Sequence, residues 1–402
     1  MYNHVDKWAE LIDNVDIYAV KGEIKKNTNN TLFLCAENAE KKGSFMLNYL
    51  EISKTALKHN ARTVCEYVKC PVIGVVKCDG YGIGVAEAAK VWKEQGVKMF
   101  GVSEYHEALE LREAGFTEDI LLLVPVGDKE TLLKMLKANV ILTVSGEENA
   151  RFYSENCEGM PVRVHVAVDT GMGRFGAKWT DIDQFLRIYS TFNFKFEGIF
   201  SHFSASFEQQ YNLTKIQFNR FLGVIDALVK AGHAVGMRHI ANSSAALRFP
   251  ETRLDAVRIG SALVGELVTS VPVQLKKVGT LKAQVVDIKN LKSGDAVGYA
   301  SVCKVKRDTK AVIVAIGYEC GFGYLKGNEN LPLRHFASSL YHMIRDYKNP
   351  PCVMYGDKRL KLIGRVGSQY SMFDATGVDI KSGEYVTTKP KMLFPHIRRK
   401  FV

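Results

Sequence analysis

Lys77, Asp169, Arg174, His202, Asn242, Ser243 and Arg258 each stand at or just past the end of a short apolar run. Lys77 lies in GVVKCDGYG, Asp169 and Arg174 in VAVDTGMGRFG, His202 in FSHFSAS, Asn242 and Ser243 in RHIANSS, and Arg258 in AVRIGSA. Singly, each has an ordinary explanation. A lysine after a strand is usually solvated, a lone histidine is more often a satisfied core residue than a catalyst, Asn-Ser is a common turn, and Arg258 could pair with Asp255. Together they offer an amine nucleophile, an acid–base group, hydroxyl and amide partners and two guanidinium groups. That set can form a Schiff base with an aldehyde cofactor and hold the cofactor's phosphate and ring nitrogen.

Gly171, Gly173 and Gly176 also spell G-x-G-x-x-G after the apolar run VRVHVAV, the spacing of a dinucleotide-binding turn. That reading needs a helix starting within the glycines and an acidic residue at the end of the next strand. Neither is found. Thr180 followed by Asp183 signals a helix beginning near residue 181, and FEGIFSHF carries Glu197 at its start and His202 at its end. The glycines read instead as a tight bend beside a small ligand.

From about residue 70, eight short β-branched runs alternate with helical patterns: PVIGVVK, KMFGV, ILLLVP, VILTVS, VRVHVAVD, FEGIFSHF, MRHIAN and DAVRIG. Between them, VAEAAKVWKEQG places Val85, Ala88, Ala89 and Trp92 on one face with Gly96 at the stop. TKIQFNRFLGVIDALVKAG reads as a helix opening on a Thr214–Gln217 capping box. The rhythm is that of an α/β chain folded as a (β/α)8 barrel; a doubly wound open sheet has the same local signals. A barrel would gather the polar residues at one rim. From about residue 268, LKAQVVDIKNLKSGDAVGY and TKAVIVAIGY read as strands joined by turns. The expected organisation is therefore a short N-terminal extension over 1–43, a barrel over 44–267 and a separate mainly-β domain over 268–402.

The 402 residues suffice for that arrangement, and 47% hydrophobic with 24% charged residues fits an ordinary globular protein. The net charge of +11 comes from scattered basic residues with no aromatic-interleaved stripe, so no nucleic-acid partner is expected. The eight cysteines include no C-x-x-C pair, so no metal site is expected. The polar start MYNHVDKWAE and the lack of a long apolar run point to a cytoplasmic protein with reduced thiols and no membrane partner.

The segments VVKCDGYGIG, VHVAVDTGMGRFG, EGIFSHFSAS, RHIANSSAAL, DAVRIGSALVGE, GDAVGYAS, AIGYECG and GRVGSQYSMFDATG occur in one order over roughly residues 44–380. In them the chain resembles the alanine racemase family, fold-type III enzymes that use pyridoxal 5′-phosphate. The resemblance implies that Lys77 carries the cofactor and is one base, and that Tyr299 is the other, reaching in from the second subunit of a homodimer. It implies that Tyr81, Ser243 and the backbone at Gly260 hold the cofactor's phosphate, and that Asn242 is among the residues that bind the cofactor. Arg258 would bond the ring nitrogen, supported by His239 and linked to Tyr299 through His202. Arg174 would hold the substrate carboxylate, with Tyr318 at the entrance and Ser368 in the substrate pocket. Two bases on opposite faces of Cα would exchange its proton between L and D amino acids.

The same comparison shows departures. Ala167 stands where a lysine is usual, Ser368 and Gln369 stand where Met-Asp is usual, and an insertion lengthens the region around 335–349. These changes concern the substrate side. Alanine is the expected substrate; serine or a larger amino acid is the alternative. A decarboxylase or aldolase on the same cofactor, or a degenerate cofactor-binding protein, are the rival classes. GYASVC, without a cysteine–aspartate pair, argues against the decarboxylase.

Overall fold

The computed structural model describes residues 46–208, 211–267, 269–298, 301, 303–323, 350–389 and 397–402. The extension, the insertion around 335–349 and Tyr299 lie outside the described residues.

All eight expected barrel runs are strands. They are β2 (Val72–Val75), β3 (Met99–Val102), β4 (Asp119–Leu122), β5 (Leu142–Val144), β6 (Arg163–Asp169), β8 (Lys195–Phe200), β9 (Met237–His239) and β10 (Val257–Ile259); β7 (Ala177–Lys178) is a short addition beside β6. Parallel pairing runs β10-β2-β3-β4 and β5-β6-β8-β9. Two seams close the ring. Leu122 and Ile141 join β4 to β5, and Arg238–Asp255 and Ala241–Arg258 backbone bonds join β9 to β10. The result is the closed (β/α)8 barrel, and not the open sheet. β2, β3 and β5 are buried throughout, which is why their sequences run continuously apolar.

Eight helices alternate with these strands: α1 (Lys54–Val68), α2 (Val85–Lys93), α3 (Tyr105–Glu113), α4 (Lys129–Lys137), α5 (Glu147–Asn156), α6 (Ile182–Thr191), α7 (Asn212–Lys230) and α8 (Ser243–Arg248). Val85, Ala88, Ala89 and Trp92 of α2 form the buried face. α6 starts one residue later than expected, because the Asp181 carboxylate caps it by accepting from Gln184 N. The expected Thr214–Gln217 capping box does not form. α7 begins at Asn212, and both residues are buried within it. Gln217 Oε1 instead accepts from the backbone and hydroxyl of Ser204, tying α7 to the loop after β8.

The C-terminal strands are β11 (Gly279–Leu291), β12 (Ala296–Val297), β13 (Cys303–Lys304), β14 (Thr309–Val314), β15 (Cys352–Tyr355), β16 (Lys358–Ile363), β17 (Ser371–Asp374), β18 (Tyr385–Thr388) and β19 (Arg399–Phe401). The path β14-β17-β16-β15-β18-β11 returns on itself through β11–β14 pairing, a second, antiparallel barrel. One strand departs from the expected boundary at residue 44. β1 (Asn48–Ile52) pairs antiparallel with β11 and parallel with β19, so it lies in the C-terminal sheet. Its partners are more than 200 residues away in sequence, where no local periodicity reports on them. No helix among the described residues is long and apolar enough to cross a membrane.

Candidate active site

The rim at the C-terminal ends of the barrel strands encloses a cavity of 290 Å³ lined by Lys77, Tyr81, Ala167, Arg174, His202, Asn242, Ser243, Arg258 and Gly260, among others. Lys77 follows β2 and opens an unusual turn. Cys78, Asp79, Gly80 and Tyr81 all have φ between 54° and 60°, one complete left-handed turn. Only Gly80 adopts that conformation without strain; each of the others costs about 1–2 kcal/mol. Neighbours hold the turn in place. The Glu107 carboxylate accepts from the N–H groups of Asp79, Ser103 and Glu104. From β19, Arg399 donates to Gly82 O at 3.0 Å and pairs with Asp79. The turn sets Lys77 and Tyr81 on the same wall. Tyr81 is packed so closely on Gly260 that a β-carbon there would lie 2.6 Å from its ring. Burial raises the Tyr81 pKa, so its phenol stays protonated and serves as a donor.

Arg258 is 4% exposed and has no acidic partner among the described residues. Its two terminal nitrogens are committed to acceptors. Nη1 donates to His239 Nδ1 at 2.8 Å and His239 O at 3.1 Å. Nη2 donates to Ser201 O at 2.6 Å and His202 Nδ1 at 3.2 Å. The Nε–H finds no acceptor among the described residues although the side chain lines the cavity. Burial pulls the Arg258 pKa down to about 9, which still leaves the guanidinium charged at neutral pH. His165 was not expected here. It sits on β6 with Nδ1 at 2.8 Å from His239 Nε2. The available signal was a histidine at an inward-facing position of an apolar strand.

Ser243 Oγ accepts from the backbone N–H of Gly260 and Ala262, at 3.2 and 3.3 Å. Asn242 caps α8 by accepting from Ala245 N at 3.1 Å and also accepts from the Ser206 hydroxyl, so its side-chain oxygen is engaged within the fold. The glycine loop has its own anchor. Asp169 Oδ1 accepts from the N–H groups of Gly171, Met172 and Gly173 at 2.9–3.0 Å. Gly176, at φ 103°, passes so near β6 that a β-carbon would lie 2.8 Å from the Ala167 carbonyl. This loop delivers Arg174 to the cavity mouth, where the side chain is exposed. Ala167 is 2% exposed in the wall beside it.

Tyr318 and Ser368 are not brought to this cavity within one chain. Their segments pair in the C-terminal domain, where Tyr318 N donates to Gly367 O and Glu319 N to Ser368 O. Tyr318 is 59% exposed there, and Gln369 is exposed as well.

The three histidines around Arg258 make a testable contribution to stability. Burial, reinforced by Arg258, holds His239 well below the ordinary histidine value and His202 at about 3. Burial likewise brings His165 to about 4. The unfolded chain therefore takes up protons below pH 6.5 that the folded chain refuses. Their contribution is intact above that pH and is lost as pH falls toward 4, roughly 2 kcal/mol per histidine between pH 6.5 and 5. Urea unfolding at pH 7.5 and 5.0 measures this; equal stability at the two values would refute it.

The C-terminal 3₁₀ turn at Tyr318–Cys320 and the barrel cavity both fall in regions with counterparts elsewhere. The description "Alanine racemase, N-terminal domain" matches residues 52–268, and "Alanine racemase, C-terminal domain" matches 278–391. An alanine racemase of Clostridium tetani is 31% identical over 351 residues, covering 84% of each chain. Among solved structures, an alanine racemase of Clostridium difficile 630 superposes with a TM-score of 0.75 at 25% identity, covering 88% of both chains. That of Bacillus anthracis, described with bound L-Ala-P, gives 0.73 at 26% identity and covers 86% of both.

Proposed function

Because the chain belongs to the alanine racemase family, we propose that it interconverts L- and D-alanine with pyridoxal 5′-phosphate in the barrel cavity, as a cytoplasmic homodimer. The chain is an amino-acid racemase by that membership. The observation that carries the cofactor reading is the Arg258 Nε–H. It is a donor without an acceptor among the described residues, on a cationic side chain in the cavity wall, and it suits a ring-nitrogen acceptor. The Tyr81 hydroxyl, Ser243 and the Gly260 backbone form the wall that would take the phosphate. When bound, the cofactor supplies an electron-withdrawing ring that acidifies the substrate's Cα–H.

In this reading Lys77 anchors the cofactor and moves the proton on one face of Cα. The left-handed turn orients its amine. Tyr299 of a second subunit serves the opposite face. Arg258 stays protonated and donates to the ring nitrogen without surrendering a proton, which leaves the ring less electron-withdrawing than an acidic partner would. Its bonds to His239, Ser201 and His202 hold its plane. Arg174 pairs with the substrate carboxylate from the Asp169-anchored loop. Tyr318 and Ser368, absent from the cavity of their own chain, are proposed to face the cavity of the partner. The division into extension, barrel and β domain is proposed with one amendment: β1 belongs to the C-terminal sheet.

A second reading, serine or a larger amino acid, draws on the small Ala167 in the wall beside Arg174. Incubating the holoenzyme with L-alanine, L-serine and larger L-amino acids in deuterated water tests both. D-Alanine labelled at Cα is the expected main product. A faster reaction with serine or a larger substrate would reassign the specificity, and no exchange with any would refute the function.

A further inference from the structure

We propose that His165 is a positioning residue for Arg258, acting through His239, and that Gly198 is the clearing in the barrel that admits it. The inference rests on the reading that Arg258 faces the cofactor. His239 is 0% exposed and His165 1% exposed, so the nitrogens that face each other and Arg258 must pair donor to acceptor.

A guanidinium only donates. His239 Nδ1, at 2.8 Å from Arg258 Nη1, must therefore accept. A neutral imidazole that accepts at one nitrogen carries its proton on the other. His239 Nε2–H thus points at His165 Nδ1, also at 2.8 Å, and His165 accepts. The order of donation is fixed from Arg258 to His239 to His165. Protonating either imidazole would set donor against donor, so both rings stay neutral with the proton on Nε2. Phe200 adds a separate restraint: His239 stacks on it at 5.2 Å and 5°. The stacking fixes the ring plane, and His165 fixes which edge faces Arg258.

Gly198 explains how a histidine fits beside this pair. A β-carbon at that position would lie 2.6 Å from His165 Cε1, 2.7 Å from Nδ1 and 2.7 Å from Met237 O. The first two contacts are with a ring wedged in the core, which has no room to yield. Here glycine is required for space.

The test uses the holoenzyme. With 15N-labelled histidine, the wild-type spectrum should show His239 and His165 neutral and protonated on Nε2 at pH 7; a His239 protonated on Nδ1, or charged, would overturn the inference without any variant. His165→Leu removes the acceptor, and kcat should fall about 10-fold to 100-fold with little change in KM, as for a displaced reacting geometry. The affinity for pyridoxal 5′-phosphate should weaken about 10-fold, as for one lost hydrogen bond. His165→Asn places an amide oxygen near the lost Nδ1 and should recover to within about 3-fold of wild type, a loss of under one hydrogen bond. Gly198→Ala, which keeps His165, should reproduce the His165→Leu loss. Unchanged kcat and cofactor affinity in His165→Leu, or no recovery in His165→Asn, would overturn the positioning role while leaving the racemase reading intact. If the wild type racemises nothing, that reading fails, and the tautomers and cofactor affinities still decide the role of His165.

Discussion

Replacing Lys77 by alanine is expected to eliminate racemisation and covalent capture of the cofactor together, while the fold survives. Lys77 is the residue proposed both to anchor the cofactor and to move a proton, so one substitution removes two contributions. General acid–base catalysis alone accounts for about 10² to 10⁴-fold in rate, and the loss should reach at least the upper end of that range. Stability should change by no more than about 0.5 kcal/mol, because no hydrogen bond or ion pair holds the Lys77 ammonium among the described residues. The left-handed turn is held by Glu107 and Arg399, and neither contacts Lys77 through a bond. Borohydride treatment followed by peptide mass analysis measures capture, and chiral chromatography measures turnover. Cofactor fixed at another lysine, or turnover within tenfold of wild type, would remove Lys77 from its assigned role.

Arg258→Lys should be the more damaging change to the fold, despite keeping the charge. The planar guanidinium reaches Ser201 O, His239 O, His239 Nδ1 and His202 Nδ1 at once. An ammonium has three donors on a single atom and cannot span the acceptors on β9 and in the loop after β8 together. At least one buried acceptor loses its partner, at a cost of about 1–3 kcal/mol each. A total of roughly 2–5 kcal/mol is expected once the remaining buried charge is less well solvated. The ring-nitrogen donor also moves, and kcat should fall by about 10²-fold, the effect of misplacing a reacting group by 1 Å. Urea unfolding and steady-state kinetics measure the two effects separately. Wild-type stability with reduced kcat would show that Arg258 serves the cofactor alone; the reverse would show a purely structural residue.

The strained turn after β2 and the buried arginine share one logic. Each is a conformation or charge that isolated chain chemistry disfavours, and each persists because several elements converge on it. Glu107 comes from α3 and Arg399 from the last strand, so the orientation of Lys77 depends on a helix of the barrel and on the last strand of the C-terminal sheet.

Much of this was legible in the sequence. The eight apolar runs and the helices between them are written in spacings of two to four residues, and such spacings report directly on which face is buried. The rim residues Lys77, Arg174, His202, Ser243 and Arg258 stood out because each ends one of those runs or lies in the loop that follows it. Tertiary structure decided the rest. Barrel closure depends on the β4–β5 and β9–β10 seams, and the open sheet shares every local signal with it. β1 joined β11 because Asn48 meets Ala283, a pairing that periodicity cannot encode. Thr214 and Gln217 had the spacing of a cap, but α7 starts earlier and Gln217 found a better use in holding Ser204. His165 looked like one more inward residue of an apolar strand. Its meaning came from His239 and Gly198, on neighbouring strands, since a hydrogen-bond direction is set only when donor and acceptor are brought face to face in a dry interior.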